Sequence, residues 1–266
     1  MLASSPDARA LAGGQSLVPA MNFRLARPAV LVDLGRIASL RGFRVDEDGS
    51  VVAGGMTRHR DFETSDEVRR RLPLVHAAMP GIAHPAIRSR GTIGGSLAHA
   101  DPAADWPALA LACDATITLA SPSGTRALAA DAFLRDVFDT ALRPGELLTE
   151  VRFPAWPASR RWGLQKHSRR RGDFAIVGVA CTVDVDPDRC TRARVAVYGA
   201  GSRAVLARSC MAFLQGKTCT GPVIEEAARL AAGEVGARGD LHASAEYRKE
   251  LVGVLARRAL EQALHG

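Results

Sequence analysis

The chain of 266 residues reads as an α+β protein in two parts, and three observations predict this. Strands and helices alternate through the first half around two glycine loops. A Pro-rich stretch, Pro154-Ala155-Trp156-Pro157, interrupts the pattern. Beyond it, strands come first and helices last, the pattern of an antiparallel sheet backed by helices. The predicted boundaries are 1–157 for the first region and 158–266 for a smaller C-terminal module.

The elements follow in order. Ala10-Leu11-Ala12 is a short strand remnant before the first glycine loop, and Leu17–Leu25 has helical character with Pro19 tolerated in its first turn. Val30–Leu34 is a continuous apolar run of buried-strand type, and Ser50–Gly55 is another strand that ends in a turn. Thr57 or Asp61 can cap the helix after it. From Ser65, the spacing of Val68, Leu72, Val75 and Met79 predicts one helix, stopped by Pro80-Gly81.

Asp101–Asp105 offers a cap before the apolar helix Trp106–Ala112. Ala115–Ala120 and Thr125–Leu128 make a hairpin around Ser121–Gly124, and Glu146–Phe153 is a further strand. In the C-terminal module, strands are expected at Phe174–Val185 and Ala193–Tyr198, and helical segments at Ala204–Leu214, Pro222–Ala232 and Ala245–Leu264. In the last helix, Tyr247, Leu251, Val254, Leu255 and Leu260 form the expected apolar face.

Composition bounds the function. With 47% hydrophobic and 24% charged residues, the chain can bury a sizeable core. Lys166, Lys217 and Lys249 are its three lysines among 35 basic residues, so the net charge of +7 is carried by arginine. The arginines are dispersed and aromatics amount to 5%, which speaks against a nucleic-acid surface. The cluster Arg169-Arg170-Arg171 reads either as a solvated turn or as a contact for an anionic ligand or acidic partner. Five cysteines without a C-x-x-C pair give no zinc ribbon or iron–sulfur motif. His59, His76, His84 and His99 lack metal-ligand spacing, so no metal site is expected. Met1–Pro6 lacks the charged start and apolar run of a signal peptide, no stretch reaches the length of a membrane span, and a cytoplasmic location is expected.

The chemistry concentrates in the two loops, Ala12-Gly13-Gly14-Gln15-Ser16 and Thr92-Ile93-Gly94-Gly95-Ser96. Glycine lets main-chain N–H groups approach a ligand, successive amides form a concave anion site, and Ser or Gln at the rim adds neutral donors. Neither loop has the Lys of a P-loop or the three spaced glycines of a Rossmann turn. The pair predicts a diphosphate held mainly by neutral groups. Neither Ser16 nor Ser96 sits in a G-x-S-x-G elbow, which argues against a hydrolase.

Ala12–Leu17 with Pro19, Met21-Asn22 and Arg24–Pro28, together with Thr92–Asp105, resembles the FAD-binding medium subunit of the molybdenum hydroxylases, the carbon monoxide dehydrogenase, xanthine dehydrogenase and aldehyde oxidoreductase group. Arg88–Gly91, Arg169–Ala175 and Asp240–Tyr247 extend the resemblance over nearly the whole chain. It implies a two-part FAD-binding region of the vanillyl-alcohol oxidase and enolpyruvate reductase type and a C-terminal module of the carbon monoxide dehydrogenase flavoprotein type. It implies partners as well: a small subunit with [2Fe–2S] clusters and a molybdopterin-containing large subunit, assembled as a heterotrimer or its dimer.

Residue by residue, the resemblance places Ala12, Gly13, Gly14, Gln15, Ser16 and Leu17, and Thr92, Ile93, Gly94, Gly95 and Ser96, on the FAD diphosphate. Asp105, and on the same logic Asp101, would accept hydrogen bonds from the flavin's sugar-alcohol hydroxyls. Leu148 would touch the flavin edge, and Lys166, with Gln165 as its neighbour in the alignment, would lie near the ring. Phe174 would border the ring face, and His99 would line the cavity or make a plain polar contact. Relatives carry an additional strand and helix before the first loop, so this chain is expected to be shortened there. The alternative expectation is a truncated homologue that has lost FAD and acts as a scaffold.

Overall fold

The computed structural model describes Leu2, Ser5 and residues 7–265. The segment Met1–Pro6 read above against a leader lies outside the described residues apart from Leu2 and Ser5. No described helix is long and apolar enough to cross a membrane.

The first region begins with a parallel pair, Ala8–Leu11 beside Val30–Asp33, joined through the first glycine loop and the helix Leu17–Asn22. The α/β alternation is realised in this pair alone. The larger sheet is antiparallel, in the order Phe43–Val45, Val51–Gly54, Leu147–Phe153, Thr116–Ser121, Gly124–Ala129. The strand Leu147–Phe153 inserts between Thr116–Ser121 and Val51–Gly54, the latter nearly a hundred residues upstream of it, a long-range pairing that a local pattern cannot contain.

The helix expected from Ser65 to Met79 is two helices, Asp66–Arg71 and Pro73–Ala78. Pro73 has no amide hydrogen to continue the first helix, and Leu72 leaves helical geometry at φ −138 and ψ 58. Ser65 does cap the first of the two, its hydroxyl accepting from the Val68 amide at 3.2 Å.

In the C-terminal module, Arg160–His167, Val177–Val185, Cys190–Tyr198 and the short Val205–Leu206 form an antiparallel meander. The strand Arg160–His167 carries five charged or polar residues among its eight and shows no strand pattern in the sequence. Helices Arg208–Leu214, Gly221–Glu234 and Ala245–His265 back the sheet. The buried stripe of the last helix is Val252, Leu255, Ala256, Ala259, Leu260 and Ala263, while Tyr247 and Val254 are exposed. Small residues face the sheet because backbones come close there: a Cβ on Gly163 would collide with the carbonyl of Ala259.

The helix Asp105–Ala112 joins the two parts. All eight of its residues are buried, and it packs on strands Val177–Val185 and Cys190–Tyr198. Its last carbonyls are satisfied from the other module: Thr182 Oγ1 donates to Ala112 at 2.8 Å and Arg194 Nε to Leu111 at 2.6 Å.

Candidate functional site

The first glycine loop leaves strand Ala8–Leu11 and turns at Gly14, whose φ of +72 suits a residue without a Cβ. Gln15 Nε2 donates to the Gly13 carbonyl at 3.1 Å, and Gly14 and Ser16 carbonyls accept from Val18 and Ala20. Among the described residues, none of the five successive amides Gly13–Leu17 donates within the fold. Five successive unspent N–H groups at the start of a helix have the chemistry of an anion cradle.

The second segment is built differently. It is the first turn of helix Ile93–His99, and its amides are spent: Ile93 donates to Thr57, Gly94 to Gly55 at 2.9 Å, Gly95 to the Thr92 hydroxyl at 3.1 Å and Ser96 to the Thr92 carbonyl. Its glycines serve close approach. A Cβ on Gly94 would stand 2.5 Å from the Gly55 carbonyl oxygen, and one on Gly55 would strike Leu148. Three backbones therefore stack without side chains between them. The segment also abuts the first loop, since a Cβ on Gly95 would lie 3.3 Å from Ala12, and one on Gly13 would lie 2.8 Å from Gly91 Cα. What remains free for a ligand here is hydroxyl chemistry: Thr92 has accepted one bond and keeps its proton, and Ser96 stands on the rim.

Both segments line one cavity of ≈ 780 Å³, within the range of small-molecule and cofactor pockets. Fourteen of the sixteen residues expected at the cofactor line it; Ile93 and Lys166 do not. Ile93 is turned into the core, fully buried. Lys166 stands behind the cavity wall, its Nζ 3.0 Å from Asp105 Oδ2 and 3.0 Å from the Gly81 carbonyl. Asp105 lines the cavity while its outer side is occupied, with Tyr198 donating to Oδ1 at 2.8 Å. Asp101 Oδ1 is taken up locally by the Ala103 amide at 2.8 Å. Leu148 is nearly buried, whereas Phe174 is 61% exposed at the opening.

Several lining residues had no sequence signal. His59 is buried against Trp106, whose indole N–H donates to His59 Nδ1 at 2.7 Å. Burial, assisted by the charge of Arg88, pushes this imidazole down to about 4, so it is neutral. His99, which the sequence did place at the cavity, lines it and pairs with the exposed ring of Phe138 at 4.8 Å between centroids. Ala83 reaches the wall at φ 48, where its amide donates to Gly172 of the other module at 3.0 Å. Arg88, paired with Glu63 at 2.8 Å, grips the Ile82 and Ala83 carbonyls and holds that corner in place. Arg9 is the one Lys or Arg among the described lining residues, so an anion in this cavity is met chiefly by neutral donors.

Residues 1–156 match the family model described as the FAD binding domain in molybdopterin dehydrogenase, and residues 162–263 match the CO dehydrogenase flavoprotein C-terminal domain. The chain is 41% identical to the 6-hydroxypseudooxynicotine dehydrogenase complex subunit alpha of Paenarthrobacter nicotinovorans, covering 97% of this chain and 88% of the relative. It is 37% identical to the carbon monoxide dehydrogenase medium chain of Hydrogenophaga pseudoflava, covering 97% and 89%. Among solved structures, it superposes on carbon monoxide dehydrogenase from Hydrogenophaga pseudoflava with a TM-score of 0.96 at 38% identity, covering 99% of this chain and 91% of that one. On quinoline 2-oxidoreductase from Pseudomonas putida 86 the TM-score is 0.94 at 37% identity, covering 100% and 92%.

Proposed function

We propose, for a chain that belongs to the FAD-binding subunit family of the molybdenum hydroxylases, that it binds FAD in the ≈ 780 Å³ cavity and works as the electron-transfer subunit of such a complex. The single observation that carries this reading is the run of five unspent amides, Gly13–Leu17, lying in contact with the Thr92–Ser96 turn inside one cavity.

The residues fit the cofactor. The Gly13–Leu17 amides and the hydroxyls of Thr92 and Ser96 suit a diphosphate, and Asp105 offers a carboxylate to sugar-alcohol hydroxyls. Leu148 and Phe174 supply apolar surface for a ring system, and the near absence of Lys or Arg means that the backbone carries most of the anion binding. Bound flavin would supply the capacity to accept electrons singly and release them as a pair. The protein's share is to fix the dinucleotide, keep one side of the cavity dry and leave the Phe174 side open to an acceptor.

In this reading a small subunit with [2Fe–2S] clusters delivers the electrons, a molybdopterin-containing large subunit oxidises the substrate, and the flavin passes the electrons to an external acceptor. The family membership supports the coarse role, and the open rim supports the last step. The test is spectroscopic and compositional. Purified full-length chain should carry or take up about one FAD per chain, as a single site requires, and should pull down the two partner subunits from its own cells. Colourless protein that takes up no FAD, with an intact fold, ends the proposal in favour of a scaffold role.

A further inference from the structure

Three strands of the C-terminal sheet place Lys166, Gly178 and Tyr198 in one row: Lys166 pairs with Gly178, and Gly178 pairs with Tyr198. Residues in such a row share a face, and neighbouring strands lie about 4.8 Å apart, so the outer two stand about 10 Å from each other with a glycine between them. The glycine is required by the geometry. A Cβ at position 178 would fall within the ring of Tyr198, 2.5 Å from its hydroxyl oxygen, so the tyrosine leans across the bare glycine. The lysine and the tyrosine thereby converge on a notch, and the carboxylate of Asp105 fills it. Lys166 Nζ meets Oδ2 at 3.0 Å and Tyr198 OH meets Oδ1 at 2.8 Å.

All three groups are shielded, with Asp105 7% and Tyr198 1% exposed and the Lys166 side chain 14% exposed. Asp105 alone of the three lines the cavity. Each of its oxygens accepts one of these bonds and the carboxylate also meets its own amide, and a carboxylate with about four acceptor sites retains capacity for a ligand. Lys166 also holds the Gly81 carbonyl at 3.0 Å, next to the cavity-lining Ile82 and Ala83.

We infer that Lys166 and Tyr198 are positioning residues through which the C-terminal module completes the cofactor site, keeping Asp105 ionised and aimed so that it accepts hydrogen bonds from the hydroxyls of the bound dinucleotide. This rests on the FAD reading above and deepens it: the site spans both modules, and neither donor touches the ligand. The chemistry is consistent. Burial leaves the Asp105 carboxyl above its ordinary value, and Lys166 first and then Tyr198 oppose that rise, so that removing either donor raises it further. Burial and the neighbouring carboxylate push the Tyr198 phenol well above its ordinary value, so it remains a donor. The charged and titratable groups facing Asp105 from the elements around it are Lys166 and Tyr198.

The experiment uses the full-length chain and has two readouts. FAD affinity is followed by flavin fluorescence from about pH 6 to pH 9, the upward side on which a buried carboxyl is displaced. The carboxylic-acid C=O band is followed by infrared difference spectroscopy on flavin-free protein, with Asp105→Asn as the blank. Wild type should hold FAD with nearly constant affinity and show no such band. Lys166→Met should bind about tenfold more weakly at pH 6, recover as pH rises and Asp105 ionises, and show the band at low pH, tenfold being the scale of one pKa unit of interaction. Lys166→Arg should restore the flat profile. The double variant Lys166→Met with Asp105→Asn, which removes both charges together, should be pH-independent and no weaker than Asp105→Asn alone.

A flat profile and no band in Lys166→Met overturn the inference, as does a double variant whose losses simply add. If Lys166→Met does not fold, Tyr198→Phe, which removes a hydroxyl and no charge, is read by the same band: its appearance at low pH supports the clamp and its absence overturns it. Wild type that takes up no FAD sinks the functional reading, while the infrared result on flavin-free protein still decides the clamp.

Discussion

Gly13→Ala puts the smallest side chain where the two ligand-facing segments touch. The new Cβ would stand 2.8 Å from both the Arg90 carbonyl carbon and Gly91 Cα, and closer still to the Arg90 oxygen. Measured from that oxygen, reaching an ordinary contact of about 3.4 Å requires a shift of about 1.2 Å, and packed interiors hold few gaps to absorb it. The Arg90–Gly91 side does not yield easily: the Gly91 amide donates to Ile87 at 2.7 Å and its carbonyl accepts from His59 at 3.0 Å. The displacement therefore falls on Gly13–Leu17, whose amides no internal bond restrains. Insertion of one methyl into packed structure costs about 1–3 kcal/mol. If about 2 kcal/mol of that appears in binding, FAD affinity falls about 30-fold. Titration of the purified variant with FAD, alongside its melting curve, measures both parts. Gly81→Ala, whose Cβ meets nothing within 4 Å, is the control. A Gly13→Ala protein with unchanged FAD affinity and unchanged melting temperature would refute the argument that the amide cradle needs this bare contact.

Two further outcomes are expected. His59 is held at about 4 when folded against 6.5 when free, so the unfolded state binds its proton first as pH falls; stability is fully present above about pH 6.5 and drops by about 3 kcal/mol towards pH 4. Denaturant titrations at pH 7 and 4.5 should show this loss, and His59→Gln, which retains an acceptor for Trp106, should lose less; equal losses in the two proteins would exonerate His59. Gly253→Ala, inside helix Ala245–His265, adds a Cβ that meets Ala232 at an ordinary 3.6 Å, and should raise stability by about 0.5–1 kcal/mol through helix propensity alone; a lower melting temperature contradicts this.

Much of the site was legible because its signals are local. A double glycine followed by small polar residues is a property of five consecutive positions, and backbone accessibility follows from the residues themselves. The strand Leu147–Phe153, the helix Asp105–Ala112 and the C-terminal helix Ala245–His265 were legible for the same reason, since apolar spacing is written along the chain. The break at Leu72–Pro73 was also locally encoded, though the apolar spacing masked it. Of the face expected on the C-terminal helix, Leu255 and Leu260 are buried and Leu251 packs against the core, while the alanines that complete the stripe were missed because alanine carries little hydrophobic signal of its own.

Composition and local pattern by themselves determined the α+β class, the two glycine segments as a paired ligand feature, and the preference for neutral over cationic anion binding. Only the tertiary structure decided that one of those segments offers free amides while the other spends its amides and contributes contact, because amide accounting depends on acceptors such as Gly55 and Thr57, some forty residues away. It alone decided that Lys166 stands behind Asp105 instead of in the cavity, because strand register, which pairing partners set together and no single segment encodes, aligns Lys166, Gly178 and Tyr198 in one row.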